Sequence, residues 1–306
     1  MYAEFYGFKE LPFALTPDPR YIYFTPSHME AMANLHYGIE SGKGLVVVTG
    51  EVGTGKTTIL RWMMQQLDPT VLVAYIFNPR LAVTDFYQHL ASLLGLPKWE
   101  TKSELLTVLG QALESRHARG LRTVLIIDEA QGLSLNVLEE IRLLSNFESD
   151  TSKQLQIVLT GQPELRDVLN DPNLRQLKQR IALRCAIKAL PTVEETDRYI
   201  TARLLVSDAE RTNIFSSAAI DYIYRCTEGI PRNINNLCDN ALLAGYAAGD
   251  LIIDRELIEE VAETLDMLPR NDRRASASPP REVPAKIFSD EGRAELWLTG
   301  YGDATN

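Results

Sequence analysis

An α/β fold with a parallel sheet, followed by a small all-helical part, is what this sequence predicts. Three observations carry the prediction. Between residues 44 and 160, continuous β-branched runs alternate with helical segments, the pattern of parallel strands covered on both faces. After Pro191 no run of comparable strand quality appears, and helical periodicity takes over. Between the two parts of the first strand–helix pair lies a glycine-rich turn, GEVGTGKTT.

The elements follow in order. Residues 1–41 are rich in aromatics and prolines and run into a helix over Ser27–Ile39, with Ser27 as its expected N-cap. Strands are expected at Leu45–Thr49, Val71–Phe77, Thr123–Ile127 and Leu155–Thr160. Helices are expected at Gly55–Leu67, 82–94, 103–118 and 134–147. Beyond Pro191, segments 192–206, 216–226, 232–248 and 254–266 read as helices. From Pro269 the run NDRRASASPPREVPAK lacks apolar periodicity, which predicts a flexible tail ending in the short apolar patch ELWLTGY. The domains expected are therefore an N-terminal segment (1–41) packing on the core, an α/β core (42–190), a helical unit (191–268) and the tail (269–306).

Composition narrows the functional class. Hydrophobic residues make up 45% and charged residues 24%, ordinary for a soluble globular chain. A net charge of −10 argues against a broad nucleic-acid face. Cys185, Cys226 and Cys238 form no CxxC pair and read as thiols in a reducing compartment. No signal peptide is legible. No apolar run reaches the ~20 residues of a membrane helix; the stretch Ala241–Gly249 is cut by Asp250. The expectation is a cytoplasmic protein whose membrane contact is indirect.

The turn matches G-x-x-x-x-G-K-[ST]. Glycines let main-chain N–H groups approach phosphate oxygens, and the helix that follows offers its positive end to the same anion. The candidate nucleotide-binding residues are Gly50, Glu51, Val52, Gly53, Thr54, Gly55, Lys56, Thr57 and Thr58. Lys56 would reach the β- and γ-phosphates, and the Thr57 hydroxyl would ligate Mg²⁺. A second motif, TVLIIDEAQ, ends a strand in Asp128 and Glu129, at the edge where open α/β sheets bind ligands. Asp128 is the expected Mg²⁺ holder and Glu129 the group that polarises the attacking water. A third strand ends in Thr160 and Gln162. Either suits a place between γ-phosphate and water, and ordinary turn chemistry around Gly161-Gln162-Pro163 suits them as well.

In this order, GEVGTGKTT, LIIDEAQGLS, QIVLTGQPELRDVL, LRQLKQRIALRC and EGIPRNINNLCDNALLAG, after the opening FYGFKELPFALTPDPRYIYF, make the chain resemble the AAA+ ATPases, specifically the ExeA/GspA-like branch. The resemblance spans residues 1 to about 265. It implies a P-loop NTPase core with a C-terminal helical lid, ATP held between them and between neighbouring subunits of an oligomer. It places sensor 1 at Thr160 or Gln162, the arginine finger at Arg180 with Arg175 as the alternative, and the lid's sensor-2 arginine at Arg232. Charge developing on a γ-phosphoryl group calls for such cations, and an arginine supplied in trans is worth ~10³–10⁵ in turnover. The opening segment would lie near the adenine, with Pro12, Phe13 and Tyr23 as candidate surfaces. ExeA/GspA proteins of type II secretion continue into a membrane helix and a periplasmic peptidoglycan-binding region, where this sequence has a polar tail.

The expected function is that of an ATP-hydrolysing motor or switch with ATP and Mg²⁺ as cofactors, serving secretion, pilus or envelope assembly. Its protein partner would belong to such a complex, with peripheral attachment at the inner membrane. The alternative is a DNA-associated ATPase of the transposition-regulator or initiator-like type, with basic residues such as Lys153 and Lys178 lining a pore. A non-catalytic, nucleotide-gated scaffold is a third class, against which Glu129 speaks.

Overall fold

The alternation of strand and helix produces a five-stranded, all-parallel sheet. A computed structural model describes residues 2–16, 18–77, 80–148 and 153–269; the tail and its ELWLTGY patch lie outside them. The strands are β1 (Leu45–Gly50), β2 (Leu72–Ile76), β3 (Thr123–Ile127), β4 (Gln156–Gly161) and β5 (Ile181–Ile187), in the spatial order β2-β3-β4-β1-β5. The helices are α1 (Tyr2–Phe5), α2 (Pro26–Glu40), α3 (Lys56–Gln66), α4 (Val83–Leu93), α5 (Lys102–Ala118), α6 (Leu135–Leu144), α7 (Glu164–Leu169) and α8 (Arg175–Gln179). The helical unit holds α9 (Val193–Val206), α10 (Ser217–Thr227), α11 (Pro231–Ala248) and α12 (Arg255–Thr264).

Successive side chains of a strand point to opposite faces, and both faces here are covered. Leu45 and Val47 of β1 join Ala74, Leu125, Ile127, Ile157 and Leu159 under α4, α5 and α6. Val46 and Val48 join Val124, Ile126 and Val158 under α2 and α3. The continuous apolar runs of the sequence have that cause.

Strand β5 was not expected from the sequence. It forms the free edge beside β1, and it alternates half-buried and exposed residues before closing on Cys185 and Ile187. With one neighbour it needs no continuous apolar run, and Arg184 in its middle hides it. The short helices α7 and α8 are likewise additions. Helix α2 begins two residues earlier than Ser27 implies. Its N-cap is Thr25, whose hydroxyl accepts from His28 N–H in a capping box, with Pro26 at the first helical position. Ser27 instead accepts, at Oγ, the amide N–H of Lys188 at 3.2 Å.

The N-terminal segment divides. Helix α2 packs on β5 and β1, whereas Tyr2, Tyr6, Phe8 and Phe13 sit in the core of the helical unit with Ile200, Phe215, Tyr222 and Leu242. Its first aromatics thus pack on the helices and not on the sheet, because the apolar faces of α9, α10 and α11 would otherwise face water. The Tyr2 hydroxyl donates to Asp239, and the Tyr6 hydroxyl to the Asp250 carbonyl at 2.8 Å.

The turn into α11 is fixed by Gly229, at φ +70°. A Cβ there would stand 2.1 Å from the Leu190 carbonyl oxygen, and the Gly229 carbonyl accepts from Leu190 N–H at 2.9 Å. Gly229→Ala is expected to cost roughly 2–5 kcal/mol, from left-handed strain and overpacking together. Thermal denaturation checks this; an unchanged melting temperature contradicts it. Cys185 and Cys238 are buried free thiols, and Cys226 is half-buried.

Candidate nucleotide site

Strand β1 delivers the glycine-rich turn to the C-terminal edge of the sheet, and α3 carries the chain away. Gly53 and Gly55 take φ of +85° and +99°, which non-glycine residues rarely adopt. A Cβ on Gly50 would stand 2.7 Å from the Ile187 carbonyl oxygen. Among the described residues, the amides of Gly55, Lys56, Thr57 and Thr58 donate to no main-chain carbonyl. Those orphan N–H groups, at the positive end of an eleven-residue helix, form a cradle that fits a phosphate chain.

Lys56 is buried and folds back over its own loop, its Nζ donating to the carbonyls of Gly50 at 2.8 Å and Glu51 at 3.0 Å. Burial pushes its ammonium group below the ordinary lysine range, against the pull of Glu129 and Asp128. A polyanion in the cradle would stabilise the charged form.

The two carboxylates follow β3. Asp128 is buried, and four donors fix it. Its Oδ2 accepts from Thr57 Oγ1 at 2.7 Å and Tyr75 Oη at 3.2 Å; its Oδ1 accepts from Thr160 Oγ1 at 2.5 Å and Glu129 N–H at 3.0 Å. Glu129 occupies the left-handed region at φ 54°, a strained position of the kind found at functional sites. Its Oε2 accepts from Gln131 Nε2 at 2.6 Å and Gln162 Nε2 at 3.1 Å. The two sensor candidates thus stand beside different carboxylates, Thr160 on Asp128 and Gln162 on Glu129.

No group of three or more His, Cys, Asp or Glu side chains suited to a metal occurs among the described residues. The adjoining oxygens of Thr57 and Asp128 still fit Mg²⁺, which typically takes one or two protein oxygens and completes its shell with phosphates and water.

From the helical unit, Arg232 reaches this loop. Its N–H donates to the Gly53 carbonyl at 3.1 Å, and a Cβ on Gly53 would stand 2.6 Å from the Arg232 Cβ. Val52, Gly53, Thr54, Gly55, Lys56, Thr57, Thr58, Glu129 and Arg232 all line one cleft. Arg180 lies elsewhere, half-buried in a hollow with Gly44, Arg142 and Lys153 at the start of β1, the opposite end of that strand from the cradle. Arg175 is exposed. Lys153 pairs with Glu148, and Lys178 donates to Asn170 Oδ1 at 2.6 Å.

Several lining residues were not legible in the sequence. His28 is buried behind the turn. Its Nε2–H donates to the Thr54 carbonyl at 3.0 Å, and its Nδ1 accepts from the Thr25 hydroxyl at 2.6 Å. Burial holds the ring below the ordinary histidine value, hence neutral. Tyr21, Tyr199, Arg203 and Asn235 also line the cleft. Of the three N-terminal candidates, Tyr23 lines the cleft; Phe13 is fully buried, edge-on to Phe215; the Pro12 carbonyl accepts from Arg203 Nε at 2.6 Å.

Residues 39–169 match the AAA domain family. Together with the parallel sheet and the phosphate cradle, that match gives these residues the fold of a P-loop AAA domain. Along the chain it is 43% identical, over 251 residues, to general secretion pathway protein A of Aeromonas hydrophila. The match covers 81% of this chain and 46% of the relative, so the chain spans about half the length of the curated relative it matches. Among solved structures, the fold is similar to Cdc6p from Pyrobaculum aerophilum (TM-score 0.64, 18% identity, 83% of this chain and 70% of that one). It is also similar to the RuvB Holliday junction branch migration motor of Thermotoga maritima (TM-score 0.53, 20% identity, 80% and 73%). No helix among the described residues is long and apolar enough to cross a membrane.

Proposed function

We propose that this chain binds ATP with Mg²⁺ in the cleft and hydrolyses it, as a subunit of an oligomer. The observation that carries the reading is the Thr57–Asp128–Thr160 hydrogen-bonded run, with Glu129 held beside it by two glutamines. Bound Mg²⁺ would supply charge neutralisation at the β- and γ-phosphates. Thr57 and Asp128 would hold it. The Gly55–Thr58 amides and Lys56 bind the phosphate chain, and Arg232 closes the lid side. Glu129 takes a proton from water as general base, while Gln131 and Gln162 fix its carboxylate.

The work served is secretion or envelope assembly, with partner proteins of such a complex linking the chain to the inner membrane. The name of the Aeromonas hydrophila relative supports this, and the net charge of −10 weighs against a DNA track. The direct test is magnesium-dependent phosphate release by the purified chain, beside DNA binding measured across salt. ATP-dependent, steeply salt-sensitive DNA binding would replace the secretion reading. Absence of any nucleotide binding would end the ATPase reading.

Arg180 lies outside the cleft of its own chain, which supports a role in a neighbour's. Arg180→Ala is expected to bind ATP normally yet lose turnover by at least ~10³-fold, the lower end of the range for arginine fingers. Mixing it with Lys56→Ala subunits, whose Arg180 is intact, should restore phosphate release. A mixture as inactive as its parts contradicts the role in trans.

A further inference from the structure

The cleft contains an amide whose donors are unspent. Asn235 is three residues beyond Arg232 on α11, hence on the same helix face, and both line the cleft. It is only 8% exposed. Its Oδ1 accepts from the Tyr199 hydroxyl at 2.8 Å, and the Tyr199 oxygen accepts from Arg203 Nη1 at 3.2 Å. Arg203 is itself pinned, donating from Nε to the Pro12 carbonyl at 2.6 Å and from Nη2 to the Ala14 carbonyl at 3.4 Å. Its guanidinium lies over the Tyr21 ring, 4.5 Å from the centroid.

This chain of bonds has one polarity. Arginine only donates, so the Tyr199 oxygen must accept and its O–H must point onward. The Asn235 amide therefore receives on its oxygen and cannot flip. Its Nδ2 is left with two N–H groups, and no acceptor among the described residues meets them. The residue is nearly buried, yet Nδ2 is not sealed off, so a ligand in the cleft can reach those N–H groups.

The surroundings define what completes it. Besides Lys56 and Glu129, the cleft is lined by Leu15, Tyr21, Tyr23, Leu190 and Tyr199, an apolar and aromatic surface with Asp18 beside it. The fitting partner is a flat heteroaromatic ring with an in-plane nitrogen acceptor. We propose that Asn235 is a specificity-determining residue that donates from Nδ2 to a ring nitrogen of adenine, with Tyr199 and Arg203 as the residues that aim it. This rests on the ATP reading above and adds which side chain reads the base.

The test is a cycle between protein and ligand variants. Binding of ATP and of its 1-deaza, 3-deaza and 7-deaza analogues is measured by calorimetry on the full chain, Asn235→Leu and Tyr199→Phe. Wild type should lose about tenfold in affinity for one of the three analogues, equivalent to ~1.4 kcal/mol. Asn235→Leu should bind ATP about tenfold more weakly yet bind that analogue as well as it binds ATP, a coupling that a purely structural residue would not produce. Tyr199→Phe, which frees the amide to rotate, should lessen the same discrimination and serves if Asn235→Leu does not fold. ATP binding with no discrimination in wild type, or with discrimination unchanged in the variants, overturns this assignment alone. Failure of wild type to bind ATP overturns the ATPase reading, and this one with it.

Discussion

Lys56→Ala should weaken ATP binding by at least ~100-fold. Hydrogen bonds to charged groups are worth ~1.5–3 kcal/mol, and each tenfold in affinity is ~1.4 kcal/mol. The lysine does more than one such bond, because Asp128 and Glu129 lie close enough to act on its ammonium group. Without that cation, two carboxylates would face a triphosphate with only the cradle amides and Arg232 to offset them. Its Nζ donates to the carbonyls of Gly50 and Glu51, contacts that phosphate oxygens would replace. Calorimetry with magnesium checks this. Affinity within about threefold of wild type, some 0.7 kcal/mol, would remove Lys56 from the site.

Glu129→Gln should do the opposite: ATP affinity kept, turnover reduced ~10²–10³-fold, the usual scale of a lost general base. Glutamine fills the same volume, and its amide oxygen still accepts from Gln131 and Gln162, so the loop conformation should hold. What disappears is the group that takes the proton from water. Phosphate release and nucleotide affinity, measured on one preparation, separate the two effects. Turnover near wild type would leave the left-handed backbone at Glu129 without a catalytic reason.

The α/β class, the cradle and the carboxylate strand were legible because each is written locally. The Gly50–Thr58 turn carries its glycines and lysine in one stretch, and the doubly covered strands are continuous apolar runs. Strand β5 was not legible, since an edge strand has one partner and tolerates Arg184 in its middle. Thr25 lost to Ser27 as an expected cap because both are hydroxyl residues before the same helix; Pro26 and the His28 side chain decide between them. The remaining site residues depend on partners far away in sequence. Tyr75 meets Asp128 across two neighbouring strands, and Arg203 finds its acceptors at Pro12 and Ala14. Asn235 did carry a local sign, the i+3 spacing after Arg232 in GIPRNIN, but its orientation depends on Tyr199.

The division of the first forty residues has a mechanical outcome. Tyr2, Tyr6, Phe8 and Phe13 travel with the helical unit, helix α2 travels with the sheet, and His28 at the start of that helix touches the back of the phosphate turn. A rotation of the C-terminal helices would therefore tug on a leash that includes Pro19–Tyr21, which packs on both α9 and α3, and leads to His28 and Thr54. Cutting that leash would uncouple the swing of the helices from the posture of the turn while leaving every charged group in place.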